Sequence, residues 1–181
     1  MPDRRGRLVA LTATLLLVLG AALLLARPFG DSDSATTDGG RRPVVGEQVG
    51  DFAAPDVDGR AVSLSALRGR PVWLTFGATW CAPCRVEAPD LQAAYTDGRG
   101  AGLALVAVYQ GESATTVRDF ATTLGLDYTH VPDPGARVTT AYRVVGLPTH
   151  VFVDRQGAVR AIDAGVLAPE LIKARIAEIG G

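Results

Sequence analysis

The chain has 181 residues, 48% of them hydrophobic, and a formal net charge of −1. That is enough apolar material for one packed domain, and the near-neutral balance, with no basic stripe, argues against nucleic acid as a partner. Its two cysteines stand three positions apart. A loop that short adds little stability, so they are not a secreted disulfide scaffold.

Arg4, Arg5 and Arg7 precede an uncharged apolar run from Leu8 to Ala26. At about 1.5 Å per residue this run is long enough to cross a hydrocarbon core of about 30 Å. Basic residues before it, and Asp31 and Asp33 after it, place residues 1–7 in the cytoplasm and the rest outside. Two fates remain open. Residues 8–26 are either a single-pass transmembrane anchor in the cell membrane, or a signal segment whose cleavage secretes the domain. Bulky Leu24 stands where cleavage wants a small residue, which favours the anchor. No cysteine follows the run, so a lipid anchor on a processed cysteine is excluded. Residues 27–46, rich in Gly, Ser, Thr and Asp, read as a flexible linker. Residues 47–181 are the expected folded domain, mildly acidic.

Within that domain Ala61 to Leu64 is a short strand candidate after the turn Asp58-Gly59. Pro71 to Gly77 is an apolar run of the kind that forms a buried central strand. A helix is predicted from Ala82 to Tyr95, interrupted by Pro89, which should kink it. Leu103 to Tyr109 is a second buried strand. Ser113 can cap a helix ending near Leu124, with Gly125 as its stop. A short helix is expected over Ala136 to Tyr142, then a hairpin of Thr149–Asp154 and Ala158–Ala164. Pro169 suits the first turn of a last helix ending near Ile179. The order implies an α/β fold: a central mixed β-sheet flanked by helices.

The chemistry concentrates at Trp80-Cys81-Ala82-Pro83-Cys84. Only a thiolate attacks a disulfide, and a helix N-terminus favours the anion through its unpaired N–H groups and dipole. Cys81 sits at the strand end and helix start, which makes it the nucleophile. Cys84, one turn on, resolves the mixed disulfide. Pro83 belongs in the first turn, where its missing donor costs nothing. Trp80 supplies an aromatic wall beside the sulfur. A structural zinc site needs about four ligands, and the remaining candidates, His130 and His150, match no compact zinc pattern.

The run Phe76-Gly-Ala-Thr-Trp-Cys-Ala-Pro-Cys-Arg-Val-Glu-Ala-Pro89 resembles the active-site strand and helix of the thioredoxin superfamily. Asp58-Gly59, Val62-Ser-Leu and Leu67-Arg-Gly69 resemble the N-terminal hairpin of TlpA/ResA-like redoxins, and Gly146-Leu147-Pro148-Thr149 resembles the cis-proline loop. With the apolar N-terminus, the whole is similar to the membrane-anchored TlpA/ResA/CcmG group. The resemblance implies a thioredoxin-like fold with an extra N-terminal β-hairpin. It implies a redox-active Cys81–Cys84 disulfide in place of a cofactor, and no metal. Pro148 is then cis and packs beside Cys81, with Leu147 and Thr149 joining Trp80 and Pro83 in substrate binding.

The superfamily's buried strand Asp is replaced here by Thr75, so another group must take the proton of the second cysteine. Glu87, three residues after Cys84 on the same side of the helix, is the candidate acceptor; an exposed helix glutamate is the alternative. Glu112 is expected to cap the next helix, and His150 to face the sheet or the surface. Gly77 stands where many relatives have a large residue, and its smallness is expected to affect the surface next to Cys81.

The implied activity is thiol–disulfide exchange on exported protein thiols and disulfides. The implied direction is reduction, for example of apocytochrome c during cytochrome c maturation, with a membrane thiol carrier as electron donor and the enzyme a monomer. The alternatives are an extracytoplasmic disulfide oxidant or isomerase, and a peroxiredoxin-like thiol peroxidase.

Overall fold

The structure, a computed structural model, describes residues 42–181. The expected cytoplasmic segment, the apolar run 8–26 and most of the linker lie outside the described residues. No helix among the described residues is long and apolar enough to cross a membrane.

The centre is a five-stranded mixed sheet. Its strands are β3 (Val72–Gly77), β4 (Ala104–Gln110), β5 (Thr129–Asp133), β6 (Thr149–Val153) and β7 (Val159–Ala164), in the order β5-β4-β3-β6-β7. β4 runs parallel to both β3 and β5, while β6 is antiparallel to β3 and to β7. A separate antiparallel hairpin of β1 (Ala53–Pro55) and β2 (Ala61–Ser63) precedes the sheet. Residues 46–49 run along the free edge of β7, through Gly46 N–H to Val159 O (2.8 Å) and Val159 N–H to Glu47 O (2.9 Å). That contact covers the start of an edge that would otherwise be open to pairing.

Among the described residues four α-helices cover the sheet: α1 (Ala82–Gly98), α2 (Ala114–Leu124), α3 (Arg137–Ala141) and α4 (Pro169–Gly180). Alternation along each strand sorts side chains between two cores. Trp73, Ala107, Tyr109 and Phe152 face Ala88 and Leu91 of α1, Val117 of α2 and Ile172 and Ile179 of α4. Leu74, Phe76, Val106, Val108 and Val151 face the other way, against Phe52, Leu64, Val138 of α3 and Tyr142. Being buried on both faces explains why β3 and β4 are apolar almost throughout. Trp73 stacks on Phe152 with ring centroids 5.2 Å apart.

Ser113 caps α2, its hydroxyl accepting from Thr116 N–H (3.2 Å), and Gly125 closes it at φ +65°. α1 runs a turn beyond the expected Tyr95. Contacts with the loop before β5 explain this: Gln92 accepts from Asp127 N–H at 2.9 Å, and Arg99 pairs with Asp127 at 3.0 Å. The strands β1 and β5 were not apparent in the sequence pattern. β1 has three residues. β5 carries His130 and Pro132, and sits at the sheet edge, where a proline is tolerated.

Candidate active site

β3 ends at Gly77 and α1 begins at Ala82, so the connecting loop delivers the cysteines to the C-terminal end of the central strand. Cys81 is the N-cap of α1, and Pro83 lies in the first turn. The two cysteines form a disulfide with S–S 2.05 Å. Sγ of Cys81 also accepts from Cys84 N–H at 3.3 Å, so an otherwise unpaired helix-start amide points at that sulfur.

The loop is held from outside α1. Glu112, at the end of the β4–α2 connection, accepts from Thr79 N–H (2.7 Å) and from the Thr79 hydroxyl. The expected helix-capping role for Glu112 is therefore corrected: Ser113 caps α2, and Glu112 fixes the turn that carries Trp80 and Cys81.

Each side of the disulfide has its own surroundings. Outward lies a shallow groove of about 420 Å³ bordered by Trp80, Cys81, Pro83, Gln110, Val145 and Leu147. Val145 is 99% exposed and Trp80 is 69% exposed. The Leu147–Pro148 peptide is cis. Thr149 stands apart from the groove: its hydroxyl donates to Gly146 O at 2.7 Å, bracing the proline loop. Inward, beneath Cys84, is a small pocket of about 30 Å³. Thr75, Gly77, Glu87, Tyr109, Tyr128 and Pro148 are among its lining residues. Residue burial alone does not order the cysteines, since Cys81 is only 5% exposed and Cys84 is half-buried. Their neighbours distinguish them: Cys81 borders the wide outer groove and Cys84 the small inner pocket.

Glu87 is 1% exposed and faces that cavity, which sets aside the exposed-glutamate alternative. Its Oε1 accepts from Leu167 N–H at 2.7 Å. Its Oε2 lies 3.3 Å from Nε2 of His150. His150 is wholly buried, which settles the expectation of sheet or surface in favour of the sheet. Its Nδ1 accepts from Trp73 Nε1–H at 3.3 Å. The sequence held no signal for this cluster, because Trp73, Glu87 and His150 meet only when β3, β6 and α1 pack. Gly77 is also placed differently from expectation. A Cβ there would touch Cys84 Sγ at 3.5 Å, so its smallness clears space over Cys84, not over Cys81.

The phenols of Tyr109 and Tyr128 are pushed above their ordinary range, first by burial. Both therefore remain neutral at physiological pH. The Tyr109 hydroxyl bonds Nδ1 of the second histidine, His130, at 2.9 Å. Nε2 of His130 is 3.3 Å from Leu126 O. A carbonyl can only accept, so Nε2 carries the proton and Nδ1 accepts from the phenol. Burial lowers the His130 pKa. No cluster of His, Cys, Asp and Glu among the described residues has the makings of a metal site.

A Cys-X-X-Cys pair at a strand–helix junction, beside a cis-proline loop on a mixed sheet, defines a thioredoxin-fold redox protein. The chain belongs to the AhpC/TSA family, whose profile matches residues 45–162. It is 34% identical over 178 residues to thiol-disulfide oxidoreductase ResA of Geobacillus thermodenitrificans (strain NG80-2), covering 97% of this chain and 98% of the relative. It is 33% identical over 127 residues to ResA of Bacillus subtilis (strain 168), covering 70% and 71%. It is also similar to the crystal structure of a Chlorobium tepidum protein named as thiol:disulfide interchange protein DsbE. There the TM-score is 0.72 at 29% identity, over 77% of this chain and 99% of that one. The chain is thus a thiol–disulfide oxidoreductase of the ResA/DsbE type, whose chemistry uses its own cysteine pair and no added cofactor.

Proposed function

We propose that the enzyme is a membrane-tethered reductant of protein disulfides outside the cytoplasm, with apocytochrome c among its substrates during cytochrome c maturation. The observation that carries the chemistry is the disposition of the two sulfurs, with Cys81 at the helix start beside a wide, open groove lined by no charged side chain and Cys84 over a small, mostly apolar pocket that holds the Glu87 carboxylate. The apolar run 8–26 with its basic flank supports the membrane and export part of the reading. The resemblance of the sequence to the membrane-anchored TlpA/ResA/CcmG group implies the reductive direction.

In the reaction the Cys81 thiolate attacks one sulfur of a substrate disulfide. A mixed disulfide forms and the first substrate thiolate leaves. The Cys84 thiol gives its proton to Glu87, and the resulting thiolate attacks Cys81 Sγ. The second substrate thiolate leaves and the Cys81–Cys84 disulfide forms. Two electrons pass to the substrate, whose two sulfurs end as thiols. The pair is then reduced again by a membrane thiol carrier. The groove beside Cys81 holds an extended substrate segment, with Trp80, Pro83 and Leu147 as its apolar walls and Pro148 closing the inner side.

The test is the equilibrium potential of the full-length chain against glutathione, combined with alkylation trapping of its redox state in cells. A low potential and a mainly reduced pair are expected. A high potential with a mainly oxidised pair would instead make it an oxidant or isomerase of exported proteins.

A further inference from the structure

Trp73, His150 and Glu87 form a buried line that ends at the cavity under Cys84. An indole N–H can only donate, so Nδ1 of His150, 3.3 Å from Trp73 Nε1, must accept. The ring proton of the neutral imidazole is then on Nε2, the atom nearest the Glu87 carboxylate. The contact is close, yet its geometry falls short of a hydrogen bond, and Nε2 is a fully buried atom with no other partner. Buried polar groups are nearly always paired, so this exception calls for a role. His130 makes the contrast: its Nε2–H ends on the carbonyl of Leu126, and both of its ring nitrogens are engaged.

We propose that His150 is a positioning residue, held by Trp73, whose Nε2–H steadies the Glu87 carboxylate toward the cavity where it receives the Cys84 proton. The proposal rests on the reading of Glu87 as proton acceptor. Neutrality of the imidazole is the point of the arrangement. A cation at this place would pin Glu87 as a permanent anion in a low-dielectric interior, whereas a neutral donor leaves the carboxylate free to take and release a proton. Leu167 N–H holds Oε1, and Nε2 of His150 approaches Oε2 to 3.3 Å, so groups from two different elements meet the two carboxylate oxygens.

The other groups facing this pair leave the role to His150. From α1 the neighbour is Cys84, from β3 Thr75, from β4 Tyr109, and from the segment before β5 Tyr128. Both tyrosines stay neutral because burial raises them. On β7 Asp163 lies across from His150 in the strand register, but α4 neutralises it through a two-pronged contact from Arg175 at 2.8 and 3.1 Å.

The experiment measures the single-turnover resolution of a mixed disulfide against pH in the full-length chain. His150→Phe removes the donor that favours the carboxylate anion. The acid limb of the profile should move to higher pH by about one unit, so that resolution on that limb slows about tenfold. His150→Gln, which keeps an N–H donor, should restore the profile to within about twofold of wild type. A folded His150→Phe chain with an unchanged acid limb overturns the proposal. Glu87→Gln separates the two claims. If it abolishes the acid limb while His150→Phe has no effect, only the role of His150 fails. If it too leaves the profile unchanged, the reading of Glu87 fails with it. Should His150→Phe not fold, nitrogen-15 imidazole spectra of the wild-type chain decide: a neutral Nε2–H tautomer is expected, and an Nδ1–H tautomer or an imidazolium at pH 7 overturns the proposal.

Discussion

The two sides of the disulfide are built from different materials. The outer groove is wide and exposed, and none of its lining side chains is charged. The inner pocket is small and mainly apolar, with the carboxylate of Glu87 and the hydroxyls of Thr75, Tyr109 and Tyr128 set among apolar side chains near Cys84. A groove without free charges selects partners by shape and apolar contact. An enclosed carboxylate beside a sulfur handles protons. On the proposed function, recognition falls to one side of a single bond and proton transfer to the other, while Glu112 fixes the Thr79 turn between them.

That division can be broken or sharpened at four places. The largest effect is expected at Cys81→Ser, which should abolish turnover with any disulfide substrate in a thiol-exchange assay. Residual turnover above a hundredth of wild type would remove Cys81 from the role of nucleophile. Next is Glu112→Ala. It strips the acceptor from Thr79 N–H and its hydroxyl, and should destabilise the chain by about 1–3 kcal/mol in urea unfolding. An unchanged midpoint would show that the turn holds its shape unaided.

Trp80→Ala tests the outer side. Loss of one exposed apolar wall should raise KM for a peptide disulfide by about five- to tenfold, equivalent to about 1–1.4 kcal/mol, with the pH profile unmoved. A shifted acid limb in this variant would merge the two sides. The smallest effect concerns His130, behind the cavity wall. Burial lowers its pKa from 6.5, so the unfolded chain binds the proton more readily. Stability should be full above about pH 6.5 and decline as pH falls below it, levelling off beneath the lowered folded value. His130→Gln should flatten that decline in unfolding curves at pH 7.5 and 5.5.

The outer side was largely legible in the sequence. Cys81, Pro83 and Trp80 are contiguous, and a strand followed by a helix start fixes their geometry locally. Ser113 and Gly125 likewise bound α2 by capping rules that act within one turn. The inner side was less legible because its members come from distant strands. Glu87 could be placed on the cysteine side of α1 by helical spacing, but its partners, His150 on β6 and Leu167 before α4, depend on sheet register. Glu112 has the same cause: its ligand, Thr79, is 33 positions earlier and is brought near only by the parallel pairing of β3 and β4. β5 escaped notice because a short edge strand with His and Pro has no clear two-residue period.

The central claim is that Cys81 attacks and Cys84 resolves. It is tested most directly by reacting the Cys84→Ser chain with a peptide disulfide and mapping the adduct by mass spectrometry. The account predicts a stable mixed disulfide on Cys81 that a fresh thiol releases, and no such adduct in Cys81→Ser. An adduct that forms on Cys84 in the Cys81→Ser chain, with none on Cys81 in the Cys84→Ser chain, would contradict it.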